Sequence, residues 1–538
     1  VGVAAGVHSL YVGHEHTFGV SRGVPWGILI GAYVFFVVTS TGNEGPNPGT
    51  IGSPANAPWL VSAGNATHNR VFGSVVQNLS GGATAPPGDL IGASLTDGTG
   101  QLQIVHAKDY GFPLCGEGEA ELAATCGGST GASNPWAGET PFNGQIVVCD
   151  RGDYGRVEKG KNVLLAGAGG YILANTAAEG ESVVAEEHCL PASHIGVADG
   201  DQLRAWLDSG SGHGGSISGF ALAEKDSFGD QLSESSSRGP ALPPVEDIMK
   251  PNLIAPGTQI LAAIEDGQKF DLKTGTSMAS PHIAGAAALL KSVHNDWGPS
   301  QLASAIETTA TAALATLGGI GAASPRDRGA GRPQLDQAVN AGLYLDVTAT
   351  QFLLANPGSG GNPRALNLPG LVDPDCRGNC SFARTVTDQQ GGGTWTAVAV
   401  DFPAGVTVNL NPSNFTLANG GVRTLNILLN LEGSGKVGEW IDGRVRLRSA
   451  GSPDQFLTVS AFYSGGDLPE EWYIADDRDG GWVNFDLSGL AAMPDATFRS
   501  GGLQAPERTV RLLLEDSSND NPYNGGSGVL TQWHNLPQ

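Results

Sequence analysis

The segment at residues 275–282, GTSMASPH, constrains this chain more than any other feature, because it places a serine directly before a stretch that favours a helix. Residues 283–291 (IAGAAALLK) are rich in alanine and leucine, with Gly285 as their one weak helix former. A serine at the start of a helix lies among free backbone N–H groups and at the positive end of the helix dipole. These features stabilise charge on an attacked carbonyl oxygen. Ser277 is therefore a candidate nucleophile, provided that a base can reach it.

A plain helix N-cap is the simpler interpretation of Ser277 and the commoner role of such a serine. Two further blocks favour the catalytic interpretation. Residues 37–46 read VVTSTGNEGP, and residues 236–240 (SSRGP) are followed by residues 250–257 (KPNLIAPG). In content and order, these blocks and the serine segment resemble the motifs of the subtilase family of subtilisin-like serine peptidases. The resemblance implies peptide-bond hydrolysis through an acyl-enzyme.

The resemblance also assigns roles to individual residues. Ser277 would be the nucleophile, and Asn43 would donate its side-chain amide to the oxyanion together with the Ser277 backbone N–H. An amide side chain is uncharged and remains a donor at every working pH. Ser40, Thr41 and Gly42 would line one wall of the primary specificity pocket. Protein or peptide substrates are implied, and no cofactor or metal is predicted.

Two members of the family's catalytic triad are not recognisable. The histidine box of the family, His-Gly-Thr-His, and its aspartate box, Asp-Thr/Ser-Gly, occur nowhere in the chain. The triad order Asp, His, Ser places both before Asn43, but residues 1–42 contain no aspartate. We therefore expect an N-terminal truncation that removed both partners, and a chain that alone hydrolyses peptides poorly or not at all. The alternative is a catalytically dead scaffold that binds proteins.

Other histidines are weak substitutes for the missing base. His14 and His16 could form a scrambled histidine box or a metal-binding pair, but no helix-forming stretch follows them, so a surface loop is favoured. His282 lies five residues after Ser277 and so points about 140° around the helix. We predict a packed, hydrogen-bonded helix histidine there. Acidic segments at residues 476–480 and 516–521 match no EF-hand loop and are interpreted as turns, which leaves a structural calcium ion open.

The chain has six cysteines, an even number with local spacing. Sequence proximity predicts three disulfides: Cys115–Cys126, Cys149–Cys189 and Cys376–Cys380. Metal binding by the last pair is disfavoured because no further ligands are evident nearby. Disulfides imply an oxidising compartment, so we expect a secreted protein.

Charge and hydropathy exclude several partners. Lys and Arg number 29 against 53 Asp and Glu, for a net charge of −24, which argues against nucleic acid and anionic membranes. The most apolar run, residues 24–38, is short and interrupted by glycine and proline, so no membrane span is predicted. We expect a monomer.

The predicted fold class is α/β, a subtilisin-like parallel sheet flanked by helices, interrupted by an insert and followed by β structure. Residues 1–80 and 223–342 would form the two parts of the peptidase domain, with a buried parallel strand at residues 32–40 that ends just before Asn43. Residues 467–538 would be a β-rich C-terminal extension.

The insert and the C-terminal region have their own patterns. Within the insertion at residues 81–222, strands and helices alternate, and residues 144–219 resemble a protease-associated domain through residues 149–152 (CDRG) and 190–192 (LPA). Such an insert either covers the substrate groove or is passive. Residues 343–466 show short alternating strands and resemble a fibronectin-type-III-like β-sandwich.

Overall fold

The computed structural model of the 538-residue chain describes residues 35–121, 126, 132–264, 270–314 and 321–465. His14, His16, the two acidic segments and the whole of the predicted extension at residues 467–538 lie outside this part of the chain. Every structural statement below concerns the described residues.

The first described elements are two parallel strands, β1 (Val38–Ser40) and β2 (Val61–Ala66). β2 is buried along its whole length, as expected for a parallel strand covered on both faces. The strand predicted at residues 32–40 is shorter in the described region, since residues 35–37 lie outside β1. Because Asn43 follows β1 closely, it lies at the carboxyl edge of the sheet, where open α/β folds bind ligands.

The next unit is an eight-stranded sheet that closes on itself, because β3 pairs with both β10 and β9 in addition to β4. The order is β10-β3-β4-β8-β7-β6-β5-β9. Its strands are β3 (Arg70–Ser80), β4 (Leu90–Ala93), β5 (Leu102–His106), β6 (Ile146–Asp150), β7 (Gly170–Ala174), β8 (Ala192–Ile195), β9 (Gly214–Ile217) and β10 (Ala221–Glu224). Its helices are α1 (Arg156–Leu165) and α2 (Val197–Leu207). β3 joins this sheet ahead of the predicted start of the insertion at residue 81.

The disulfides of this unit differ from the prediction. The structure pairs Cys115 with Cys149 and Cys126 with Cys189, with Cα separations of 5.8 and 5.0 Å. The predicted pairs Cys115–Cys126 and Cys149–Cys189 are therefore wrong. β5 and β6 are parallel neighbours, so the chain that leaves β5 passes the end of β6, where the Asp150 N–H donates to the Pro113 carbonyl at 2.8 Å. Sheet order, not closeness in sequence, brings Cys115 to Cys149.

The chain then returns to the first sheet. β11 (Leu253–Pro256) pairs with β2 in parallel, giving the order β1-β2-β11. A hairpin of β12 (Ile260–Ala263) and β13 (Phe270–Lys273) follows. The helices after it are α3 (Thr276–Val293), α4 (Pro299–Thr308), α5 (Pro325–Arg328) and α6 (Leu335–Ala338).

Helix α3 packs on the parallel sheet through small and aliphatic residues. Ala279, Ile283, Ala287 and Leu290 recur at helical spacing, and all are buried in one cluster with residues of β1, β2 and β11. This packing fixes the start of α3 above the carboxyl edge of the strands. No helix in the described ranges is both long and apolar enough to cross a membrane.

The C-terminal part holds two sheets, ordered β14-β16-β20-β18 and β15-β22-β21-β17-β19. Their strands, with helix α7 (Ala349–Leu354), are β14 (Leu343–Tyr344), β15 (Gly370–Cys376), β16 (Asn379–Asp388), β17 (Gly392–Val400), β18 (Thr407–Asn411), β19 (Asn414–Ala418), β20 (Val422–Asn430), β21 (Trp440–Ser449) and β22 (Gln455–Tyr463). Inward residues of both sheets share one core, with Ile427 from the first and Trp395 and Val445 from the second. The Cys376–Cys380 disulfide joins β15 to β16 with the predicted partners.

Hydrogen bonds attach these two sheets to helices α4 and α5. The Gln455 side chain donates to Thr308 Oγ1 of α4 at 2.7 Å and accepts from the backbone N–H of Leu343 at 2.8 Å. Arg326 of α5 donates to Asp442 Oδ1 at 2.7 Å. The C-terminal sheets are thereby fixed to the helices that cover the parallel sheet.

Candidate active site

The loop after β1 is shaped by a glycine. Gly42 has φ +106°, a conformation that L side chains rarely adopt, and a Cβ there would overlap the Glu44 carboxylate. The Gly42 carbonyl accepts from the Ser237 N–H at 3.1 Å and from Thr276 Oγ1 at 3.2 Å. This turn connects the strand end to the start of α3.

Asn43 is bound to the first residue of that helix. Its Oδ1 accepts from the Thr276 N–H at 3.0 Å and from Thr276 Oγ1 at 3.2 Å. Because a backbone N–H can only donate, the amide atom that faces it must be the oxygen. The Nδ2 donor therefore points away from the Thr276 N–H, and the Asn43 side chain is solvent-exposed. Within the described part of the chain, Nδ2 donates no hydrogen bond.

Ser277 is the second residue of α3 and is partly buried. Its hydroxyl makes no hydrogen bond to any residue that the structure describes. The Asn43 side chain is bonded to the neighbouring Thr276. The backbone N–H groups of a first helical turn lack partners within the helix, so the Thr276 N–H takes the nearest acceptor.

The residues predicted to line the specificity pocket, Ser40, Thr41 and Gly42, lie at the end of β1 and directly after it. Thr41 is 2% exposed, and its hydroxyl donates to the Ala63 carbonyl of β2 at 3.3 Å. Its side chain is therefore directed toward β2 and is shielded from solvent. Ser40 ends β1 and is partly buried.

The block at residues 236–240 supports this loop, a role that the sequence pattern did not specify. Ser237 Oγ donates to Glu44 Oε2 at 2.8 Å and accepts from the Glu44 N–H at 3.1 Å. Ser236 Oγ accepts from the Asn65 N–H of β2 at 3.0 Å. The two serines thus fasten the Asn43 loop to the parallel sheet.

Neither histidine near this region is hydrogen-bonded to Ser277 in the described ranges. His282 Nδ1 donates to the Met278 carbonyl at 2.8 Å, one turn earlier in α3. It is the predicted hydrogen-bonded helix histidine, but it is exposed and not packed. His68 follows β2, and its pKa is lowered chiefly by burial. Within the described ranges, neither His282 nor His68 is therefore placed as a base for Ser277.

A buried cluster of polar and titratable side chains at the amino ends of β2 and β11 was not predicted. Lys250 Nζ donates to the Leu60 carbonyl at 2.7 Å and to Asn252 Oδ1 at 2.9 Å, and Asn252 Nδ2 donates to Glu307 Oε1 at 3.3 Å. Burial lowers the pKa of Lys250 to about 7 and raises the pKa of Glu307 to about 7. Asn252 Oδ1 also accepts from the Ser62 N–H at 2.9 Å, so the cluster joins β2, β11 and α4.

One group of possible metal ligands occurs in the described ranges: Asp373, Cys376 and Cys380. The two cysteines form the disulfide between β15 and β16, so their sulfur atoms are not free thiolates. Asp373 is paired with Arg364. These contacts favour the disulfide interpretation of the cysteine pair over the metal-binding one.

The end of β1 and the start of α3 meet through the hydrogen bonds of Asn43 with Thr276, and comparison with known proteins identifies the family. The model of the subtilase family matches residues 16–340, more than half of the chain. The chain belongs to the subtilase family.

Curated relatives extend the similarity beyond the family model. Subtilisin-like protease SBT1.7 of Arabidopsis thaliana is 32% identical over 78% of this chain and 60% of the relative. Subtilisin-like protease SBT1.4 of the same plant is 33% identical over 65% of this chain and 45% of the relative. A solved structure, the psychrophilic subtilisin-like protease Apa1 of Pseudoalteromonas sp. AS-11, is 14% identical with a TM-score of 0.30, covering 60% of this chain and 67% of that one. The chain thus matches only part of the length of these curated relatives.

Proposed function

We propose that this chain is part of a secreted serine endopeptidase that hydrolyses peptide bonds through an acyl-enzyme on Ser277. The observation that carries the proposal is the hydrogen bond from the Thr276 N–H to Asn43 Oδ1. It orients the Asn43 amide beside the residue that precedes Ser277 and leaves the Nδ2 donor for a ligand. Family membership makes protein or peptide the expected substrate.

The chemistry assigned to these residues has two steps. The Ser277 hydroxyl attacks the scissile carbonyl while an imidazole accepts its proton, and the oxyanion that forms accepts hydrogen bonds from Asn43 Nδ2 and the Ser277 N–H. That N–H lies in the first turn of α3 and has no partner within the helix. The leaving amine takes the proton, and water then hydrolyses the acyl-enzyme. No cofactor takes part.

We assign the aspartate and histidine of the triad to sequence that precedes residue 1. Two observations support this assignment. Neither family box occurs within residues 1–538, and the curated relatives are longer than the part that they share with this chain. Without these partners, only binding and oxyanion stabilisation would remain.

The remaining regions are assigned by the same resemblances. We propose peptidase parts at residues 1–80 and 223–342, a protease-associated insert within residues 81–222, a fibronectin-type-III-like sandwich at residues 343–466 and an extension at residues 467–538. The closed eight-stranded sheet supports the insert, and the two C-terminal sheets with one shared core support the sandwich. Three disulfides support secretion. We propose a monomer.

A second candidate function is a binding scaffold without catalysis. The observation that favours it is the unbonded Ser277 hydroxyl, which has no assigned base among the described residues. The retained Asn43 and its supporting serines favour the peptidase, because a scaffold has no need of an oriented oxyanion donor.

Casein hydrolysis distinguishes the two functions. We expect residues 1–538 alone to show almost no turnover, because the oxyanion hole and binding leave only about 10³–10⁴-fold acceleration over water, a magnitude measured for subtilisin itself and adopted here. The protein with its preceding sequence should cleave casein, and its Ser277→Ala variant should not. Robust Ser277-dependent turnover by residues 1–538 alone would refute our assignment of the triad partners. A longer protein that carries both boxes and is inert would support the scaffold.

A further inference from the structure

A hydrogen bond joins the inserted unit to the peptidase part close to the nucleophile. The Ala185 N–H, between β7 and β8, donates to the side-chain carbonyl of Gln259 at 3.0 Å. Gln259 lies between β11 and β12, shortly after the family segment at residues 250–257. Ala185 itself is 4% exposed. A buried backbone donor of the insert therefore depends on one side chain of the peptidase part.

The Ala185 end of this bond is held by buried polar groups of the insert. The Val184 N–H donates to His194 Nδ1 at 3.1 Å, and His194 Nε2 lies 2.7 Å from Asn175 Oδ1. Asn175 Nδ2 donates to the Ser182 carbonyl at 2.7 Å. Burial holds the pKa of His194 well below its usual value, so the ring is neutral and its Nδ1 is free to accept. The loop that presents Ala185 is therefore held in place by buried side-chain hydrogen bonds.

The Gln259 end is held in an unusual backbone conformation. Gln259 has φ +57°, in the left-handed region that residues other than glycine and asparagine seldom occupy. Such conformations persist only where surrounding contacts enforce them. Besides the bond to Ala185, the Gln259 N–H donates to Thr274 Oγ1 at 2.9 Å. Thr274 is the last residue before Gly275, where α3 is capped.

The same turn touches the helix start a second time. The Gly275 N–H donates to the Gly257 carbonyl at 2.8 Å. A Cβ on Gly257 would lie 2.7 Å from the Gly275 carbonyl oxygen, so the two backbones are in close contact. The turn at residues 257–259 is therefore bonded directly to Gly275, and Ser277 follows two residues later.

We propose that Gln259 is a positioning residue through which the inserted unit fixes the nucleophile segment. Its side chain ties the strained turn to the Ala185 loop, and its backbone ties the turn to Thr274. The proposal rests on the proposed function for its catalytic meaning, because it makes the insert part of the support of Ser277. The coupling itself is a physical property of the fold and is measurable without catalysis.

Amide hydrogen exchange on residues 1–538 tests the coupling directly. Gln259→Asn shortens the side chain by one methylene, so it loses the bond to Ala185 while its backbone tolerates positive φ well. We expect amide exchange at both Ala185 and Gly275 to accelerate about five- to tenfold, the factor expected for one neutral hydrogen bond. Gln259→Glu keeps an acceptor oxygen at full length and should exchange like the wild type. The matched control is Gln202→Asn at an exposed position of helix α2, which should change neither amide.

A second variant approaches the same link from the other side. Thr274→Val removes the acceptor for the Gln259 N–H with little change in shape, and it should accelerate exchange at Gly275. If the two hydrogen bonds are coupled, the effects of Thr274→Val and Gln259→Asn on amide exchange will be non-additive in the double variant. In the catalytically complete protein, Gln259→Asn should lower kcat at unchanged KM, and Gln259→Glu should restore it.

The outcomes are decisive in both directions. Faster exchange at Ala185 with unchanged exchange at Gly275 would overturn the proposal, and so would additive effects in the double variant. Failure of the proposed function would abolish the kcat readout only, and the exchange pattern would still be observed.

Discussion

Asn43→Asp should lower kcat by about 10²–10³-fold in the catalytically complete protein, a magnitude known for loss of the corresponding donor in subtilisin itself and adopted here. The substitution exchanges the Nδ2 donor for an oxygen of nearly the same size. It retains the acceptor that binds the Thr276 N–H and hydroxyl. The oxyanion therefore loses its donor while the start of α3 keeps its anchor. We expect KM and thermal stability to change little.

Asn43→Ala is the matched comparison, because it removes the donor and the acceptor together. It should lose similar activity and, in addition, about 1 kcal/mol of stability through the unpaired Thr276 N–H. Steady-state kinetics and thermal unfolding of both variants separate the two roles. An Asn43→Asp protein that keeps more than half of wild-type kcat would show that Asn43 only supports the helix.

Glu307→Gln should remove a large pH dependence of stability. Burial raises the pKa of Glu307 from 4.5 to about 7 in the folded state, so its contribution to stability is complete below about pH 4.5 and is lost as pH rises through 7. The loss in the free energy of unfolding is on the order of 3 kcal/mol, because each unit of pKa shift corresponds to about 1.36 kcal/mol. The lowered pKa of Lys250 acts in the opposite direction, so its contribution is regained only above about pH 7.

In the variant, the fall in stability between about pH 4.5 and 7, the acid limb, should disappear. The rise in stability above about pH 7 that is due to Lys250, the alkaline limb, should remain. The glutamine retains an oxygen to accept from Asn252 Nδ2. Urea unfolding between about pH 4.5 and 10 measures the free energy of unfolding along both limbs. Exchange of the β2 and β11 amides follows the opening of the strands that hold the cluster. Glu439→Gln, at an exposed ion pair with Lys436, is the control and should keep the acid limb. An unchanged acid limb in Glu307→Gln would contradict the account.

The sequence predicted those parts of the site that depend on neighbouring residues. Alanine and leucine after Ser277 indicated α3, and an apolar β-branched run before Asn43 indicated a buried strand that ends there. The parallel pairing of that strand and the packing of α3 then place both residues at one sheet edge. Local composition was sufficient because each residue lies at the end of its own element.

Features that depend on distant parts of the chain could not be predicted. Lys250 meets the Leu60 carbonyl across 190 residues, and Ala185 meets Gln259 across 74. The disulfide partner of Cys115 was set by the pairing of β5 with β6, and the direction of the Thr41 side chain by its hydrogen bond to β2. Such contacts follow from sheet order, which sequence proximity does not reveal.

The central claim is that Ser277 is the nucleophile beside a donor supplied by Asn43. A fluorophosphonate probe, followed by peptide mapping of the adduct, tests it most directly, because the probe reacts only with an activated serine. We predict an adduct on Ser277 in the protein with its preceding sequence, and none in its Ser277→Ala variant or in residues 1–538 alone. An adduct on another serine, or no adduct in a protein that cleaves casein, would contradict the account.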